Sequence, residues 1–96
     1  MLEKDFQSKL KQELKERFPG AIILKTDGNY IQGFPDLLML WKDRWATLEC
    51  KRAKDAHKQP NQEFYVDLLN QMSFSAFIEP SNKGKVLDDL ERTLKS

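Results

Sequence analysis

The chain has 96 residues, of which 40% are apolar and 32% charged, and its 16 basic and 15 acidic side chains leave a net charge of +1. That length allows one small domain with a modest core, the composition excludes a disordered chain, and the near-neutral charge means that any affinity for a polyanion must come from local placement. No apolar run approaches the roughly 18 residues of a membrane span, the N-terminal MLEKDFQSKLK lacks the apolar core of a signal peptide, and the lone cysteine, Cys50, excludes an internal disulfide or a multi-cysteine zinc site, so the expectation is a cytoplasmic protein without a membrane partner.

The elements follow in chain order. Leu2, Phe6, Leu10 and Leu14 repeat at helical spacing and predict a helix from Leu2 to about Phe18, stopped by Pro19-Gly20. AIILKT (21–26) reads as a short apolar strand and DGNYIQG (27–33) as a turn-rich loop. DLLMLW (36–41) and WATLECK (45–51), joined by Lys42-Asp43-Arg44, are close enough for an antiparallel hairpin. RAKDAHK (52–58) is a polar connection. A second helix is expected from Pro60, whose missing N–H costs little at the first helical position, with Gln59 ahead of it. Phe64, Leu68 and Met72, with Val66 and Leu69 beside them, are expected on its buried side. SFSAFIE (73–79) reads as a fourth strand and VLDDLERTL (86–94) as a closing amphipathic helix. The order is α-β-β-β-α-β-α, an α/β fold with a mixed sheet flanked by helices.

Charges at the strand ends carry the chemistry. Side chains alternate along a strand, so Glu49 and Lys51 share one face while Leu48 and Cys50 point to the other. A hairpin that joins residue 36 to residue 49 brings Asp36 beside Glu49. Two carboxylates that close repel unless a cation lies between them. Oxygen ligands suit Mg²⁺, which takes one or two protein carboxylates and leaves its other positions to water and phosphate oxygens. Lys51 would then orient the attacking water or neutralise the phosphate.

Pro35-Asp36, twelve intervening residues and Glu49-Cys50-Lys51 resemble the PD-(D/E)XK nuclease signature, and the element order is similar to that superfamily's restriction-endonuclease-like core. Glu3 early in the first helix, Lys25 before a loop containing Gln32, Gly33 before Pro35-Asp36, and Gln59-Pro60-Asn61-Gln62 after the E-x-K narrow the resemblance to the stand-alone VRR-NUC domains, many of them encoded by bacteriophages. The resemblance spans nearly the whole chain, residues 1–96, as a single nuclease domain. One departure is visible: Asn70-Gln71-Met72-Ser73 occupies a turn where the family usually has glycine.

The resemblance implies a metal-dependent endonuclease acting on DNA, structure-selective for four-way (Holliday) or other branched junctions and working as a homodimer in a bacterial host's cytoplasm. Asp36, Glu49 and the backbone carbonyl of Cys50 would hold Mg²⁺ or Mn²⁺, with Glu3 reaching the ion directly or through water; Glu13 competes for that last role. Lys51 and Gln62 would position the water. Lys25, Gln32, Arg52 and Lys54 are candidate DNA contacts. His57 reads as solvated. Two other readings stand beside this one: a nuclease-fold DNA-binding module without turnover, and a small interaction protein whose carboxylates are incidental.

Overall fold

The structure is a computed structural model and describes residues 2–96. Helix α1, Glu3–Arg17, carries Glu3 and Asp5 in its first turn and Lys15 and Arg17 in its last, charges that complement the helix dipole at both ends. Its buried stripe is Phe6, Leu10 and Leu14, continued by Phe18 just past the helix. Leu2, expected to begin that stripe, is instead exposed. It is the residue that precedes the first turn, in extended conformation, so it does not share the helical phase. Gly20, at φ +88°, supplies the left-handed residue that ends the segment.

Strands β1 (Ile22–Lys25), β2 (Leu37–Trp41), β3 (Arg44–Cys50) and β4 (Phe74–Ile78) form one sheet in that spatial order. The first two pairings are antiparallel and the third is parallel. A parallel neighbour requires a crossover, which α2 (Pro60–Met72) supplies, and α3 (Lys83–Leu94) closes the chain. The result is an α/β fold with a four-stranded mixed sheet. In the hairpin Trp41 pairs with Arg44, leaving Lys42 and Asp43 as the turn, with Lys42 at φ 57°.

Alternation divides the sheet into two faces. On one face Leu37, Met39, Trp41, Leu48, Cys50 and Ile78 join the buried stripes of α1 and α3 in a single apolar cluster. The Phe18 and Trp41 rings meet edge to face at 5.2 Å, and Trp41 Nε1 donates to the Pro19 carbonyl at 3.1 Å, which satisfies the indole's only polar group. The opposite face carries Thr47, Glu49 and Ser75, all buried, and there the Thr47 hydroxyl donates to Ser75 Oγ at 2.8 Å.

Helix α2 packs on β3 and β4 through Val66 and Leu69. This corrects the expected buried side: Phe64, Leu68 and Met72 are 60%, 39% and 65% exposed. Two apolar stripes lie roughly a third of a turn apart on this helix, and the one aimed at the sheet is set by the crossover, which periodicity does not encode. The non-glycine turn after α2 is built without a left-handed residue. Ser73 has φ −152° and donates its N–H to the Leu69 carbonyl at 2.9 Å, while Asn70 Oδ1 accepts from Ser75 N–H at 3.1 Å. Among the described residues no helix is long and apolar enough to cross a membrane.

Candidate active site

The Leu37–Leu48 pairing, extended by one residue, sets Asp36 opposite Glu49 at the mouth of the hairpin. Asp36 is held there from both sides. Its Oδ2 accepts the Cys50 N–H at 3.1 Å, and its backbone carbonyl accepts the Thr26 N–H at 2.8 Å. The Thr26 hydroxyl donates to the Pro35 carbonyl at 2.6 Å, so the end of β1 clamps the Pro-Asp step. Thr26 was not singled out from sequence, because a threonine at a strand end has no signature of its own.

Glu49 is only 3% exposed. Its Oε2 accepts from Gln62 Nε2 at 3.2 Å and lies 4.0 Å from Lys51 Nζ. Its Oε1 is buried with no hydrogen-bond partner. Burial first, and then the negative charge of Asp36, push the Glu49 carboxyl up to about 8, against the opposing pull of Lys51. An orphaned carboxylate oxygen facing a second carboxylate is costly, and either a proton or a cation between the two relieves it.

Lys51 is clamped rather than free. Its Nζ donates to Gln62 Oε1 at 2.7 Å and to the backbone carbonyl of His57 at 3.0 Å. His57 itself is exposed and contributes through its carbonyl, a role that no side-chain reading discloses. Gln62 is the hub of the site. Its Oε1 takes the Gln59 N–H at 3.0 Å as well as Lys51, and its Nε2 serves Glu49, so both ends of the amide are committed. The same residue thus caps α2 and ties the helix to β3.

The backbone of Cys50 belongs to the site and its thiol does not. The Lys51 N–H bonds the Ile78 carbonyl on β4 at 2.9 Å, whereas the Cys50 N–H turns to Asp36. In an extended strand a residue's N–H and C=O point to the same side, so the Cys50 carbonyl faces the Asp36 edge. Burial, with the nearby carboxylates, pushes the Cys50 thiol well above its usual range, which keeps it protonated and inert.

The remaining candidates fall at different distances from this centre. Glu3 is exposed at the start of α1, and its charge reaches both Glu49 and Cys50. Glu13 pairs with Lys83 of α3 at 2.8 Å, away from the carboxylates. Gln32 lines a depression of about 290 Å³ together with Gly33, Gln59, Pro60, Asn61 and Gln62, beside the Gln62 hub. Lys25, Arg52 and Lys54 are exposed. Among the described residues no three His, Cys, Asp or Glu side chains converge as a ligand set. The side-chain oxygens on offer are therefore those of the Asp36–Glu49 pair, a hard, all-oxygen donor set of the size Mg²⁺ uses.

The loop before Pro35 is fixed against α2. Gly33 has φ +88°, and a Cβ there would strike the Asn61 side chain and stand 2.9 Å from the Asn61 carbonyl carbon. Gly33→Ala combines a left-handed strain with a backbone collision, and about 3 kcal/mol of stability should be lost. Urea denaturation measures it; a loss below about 1 kcal/mol would mean that this contact is loose.

No protein-family model, curated protein or solved structure matches the chain.

Proposed function

We propose that the chain is a metal-dependent endonuclease that hydrolyses DNA phosphodiester bonds, with a restriction-endonuclease-like core of the VRR-NUC type. The observation that carries this reading is the Glu49 carboxyl, whose Oε1 is buried without a hydrogen-bond partner and whose charge is opposed by that of Asp36. Asp36, Glu49 and the Cys50 carbonyl would hold Mg²⁺ or Mn²⁺, and Glu3 would approach the ion through water. The ion, when bound, would supply a polarised water and charge neutralisation on the phosphate. Lys51, fixed by Gln62 and His57, donates toward the attacking water or a phosphate oxygen, and Gln62 holds that lysine and Glu49 in mutual register. Gln32, Arg52, Lys54 and Lys25 would contact the DNA backbone.

The partner protein in this reading is a second copy of the chain. Ile22 pairs with Leu40 and Leu24 with Leu38, which places these side chains on the sheet face that α2 leaves uncovered beyond β3. Ile22, Leu24 and Leu40 are exposed there, and Phe64, Leu68 and Met72 add a stripe along the flank of α2. Together they offer about 500 Å² of apolar surface, towards the upper end of what the largest patch on a monomer spans and a fitting centre for an interface that needs about 800 Å² per partner. An isologous pair would present two sites to one branched substrate. Trp41 and Phe74, by contrast, are buried in the core and have no part in it. Sedimentation at micromolar concentration should give a dimer, and Phe64→Glu with Met72→Glu a monomer; a monomeric wild-type protein would contradict this.

The activity is tested with labelled single-stranded, duplex, flap and four-way-junction DNAs, each with Mg²⁺ and with EDTA. Cleavage in Mg²⁺ alone, strongest on the junction, is the expected result. Binding without cleavage in either Mg²⁺ or Mn²⁺ would leave a DNA-binding module, and neither binding nor cleavage would overturn the reading.

A further inference from the structure

Tyr30 stands in the 27–34 loop and is 86% exposed, more than the next most exposed aromatic side chain, Phe64. Its loop is ordered by its own hydrogen bonds. Asn29 N–H donates to Asp27 Oδ1 at 2.9 Å, Tyr30 N–H to the Asp27 carbonyl at 3.1 Å, and Phe34 N–H to the Ile31 carbonyl at 3.2 Å. Both ends are anchored to the candidate active site: Thr26 clamps Pro35 and Asp36, and Gly33 abuts Asn61 next to Gln62. Between the anchors, Thr26, Asp27, Tyr30, Ile31 and Phe34 line a largely apolar depression of about 310 Å³, the lower end of ligand-pocket sizes. Phe34 is in turn backed by the Tyr65 ring at 5.8 Å.

We infer that this depression takes one unstacked nucleobase of the DNA strand whose phosphate lies at Asp36 and Glu49, with Tyr30 stacking on its face. The inference rests on the nuclease reading and names a contact which that reading does not contain. Three features select a base over other occupants. The walls are aromatic and aliphatic, as stacking requires, and every base has a π-face to offer. Asp27 repels a phosphate, yet its carboxylate accepts hydrogen bonds from an exocyclic amino group. The shared Thr26 clamp puts the depression next to the scissile position, where a branched or frayed substrate has unpaired bases. A tyrosine on a loop tied down at both ends also loses less conformational freedom on binding than one on an untethered segment.

The test is junction DNA carrying 5-iodouracil at successive positions near the cut, bound to the wild-type protein in Ca²⁺ so that binding is read without cleavage. A photo-cross-link mapping to Tyr30 is expected. Tyr30→Ala should weaken binding about tenfold, and Tyr30→Phe, which keeps the ring, should restore it. Cross-links confined to other residues, with Tyr30→Ala binding as the wild type does, would overturn the inference and leave the nuclease reading intact. A Tyr30→Ala protein that sediments as a monomer where the wild type sediments as a dimer would overturn it as well, by assigning Tyr30 to the second copy. Failure of wild-type protein to bind any DNA would overturn both.

Discussion

Asp36→Asn and Glu49→Gln should each lower DNA cleavage in saturating Mg²⁺ by at least about a thousandfold, since each removes a ligand charge worth several kcal/mol at the transition state without altering volume. Neither should unfold the protein, and Glu49→Gln should stabilise it when no divalent ion is present. The sign follows from the raised carboxyl: about 8 in the folded chain against an ordinary 4.5. A group raised on folding contributes its stability below its unfolded value and loses it as pH climbs through the folded one. Metal-free wild-type protein should therefore lose a few kcal/mol between about pH 5 and about pH 9, and Glu49→Gln should lack that decline. Thermal melts in EDTA across that range decide the matter. Parallel curves for the two proteins would mean that Glu49 is not the strained carboxylate, and near wild-type cleavage by either variant would remove the pair from the reaction.

Lys51→Ala should reduce the single-turnover rate by about a hundred- to a thousandfold while leaving junction affinity in Ca²⁺ within about twofold of wild type. One lysine among several basic groups adds little to the total attraction for phosphate, whereas a clamped ammonium aimed into the site acts on the reacting atoms. Lys51 also lowers the Glu49 carboxyl, so its loss has a second, indirect route. The two routes separate with pH. If Lys51 works only through Glu49, alkaline buffer restores the rate; if it acts on water or phosphate, the deficit persists. A large loss of affinity with an unchanged single-turnover rate would make Lys51 a phosphate contact only.

Much of this arrangement is legible in the sequence where local rules dominate. A short hairpin ties its register to its turn: the Trp41–Arg44 pair across Lys42-Asp43 sets Asp36 opposite Glu49, whereas a three-residue connection Lys42-Asp43-Arg44 would have set Asp36 opposite Cys50. The pairing of the two carboxylates was therefore legible and its exact turn was not. Pro60 after Gln59 marked the start of α2, and Gln62 three residues on from Gln59 announced the cap that also reaches Glu49 and Lys51. What stayed hidden depends on tertiary placement. Val66 and Leu69 face the sheet while Phe64, Leu68 and Met72 do not, because the crossover from β3 to β4 sets the rotation of α2. The His57 carbonyl beneath Lys51 belongs to the backbone of a loop, and every residue has one. Thr26 matters through contacts nine and ten residues away, and nothing local to a strand end reveals them.

Everything proposed for the site depends on Asp36 and Glu49 sharing one divalent cation, which calorimetric titration of the metal-free wild-type protein with Mn²⁺ measures directly. One site per chain is expected, tighter at alkaline than at mildly acidic pH as the proton leaves Glu49, and lost in both Asp36→Asn and Glu49→Gln. No detectable binding by the wild-type protein at alkaline pH, or equal binding by all three proteins, would contradict it.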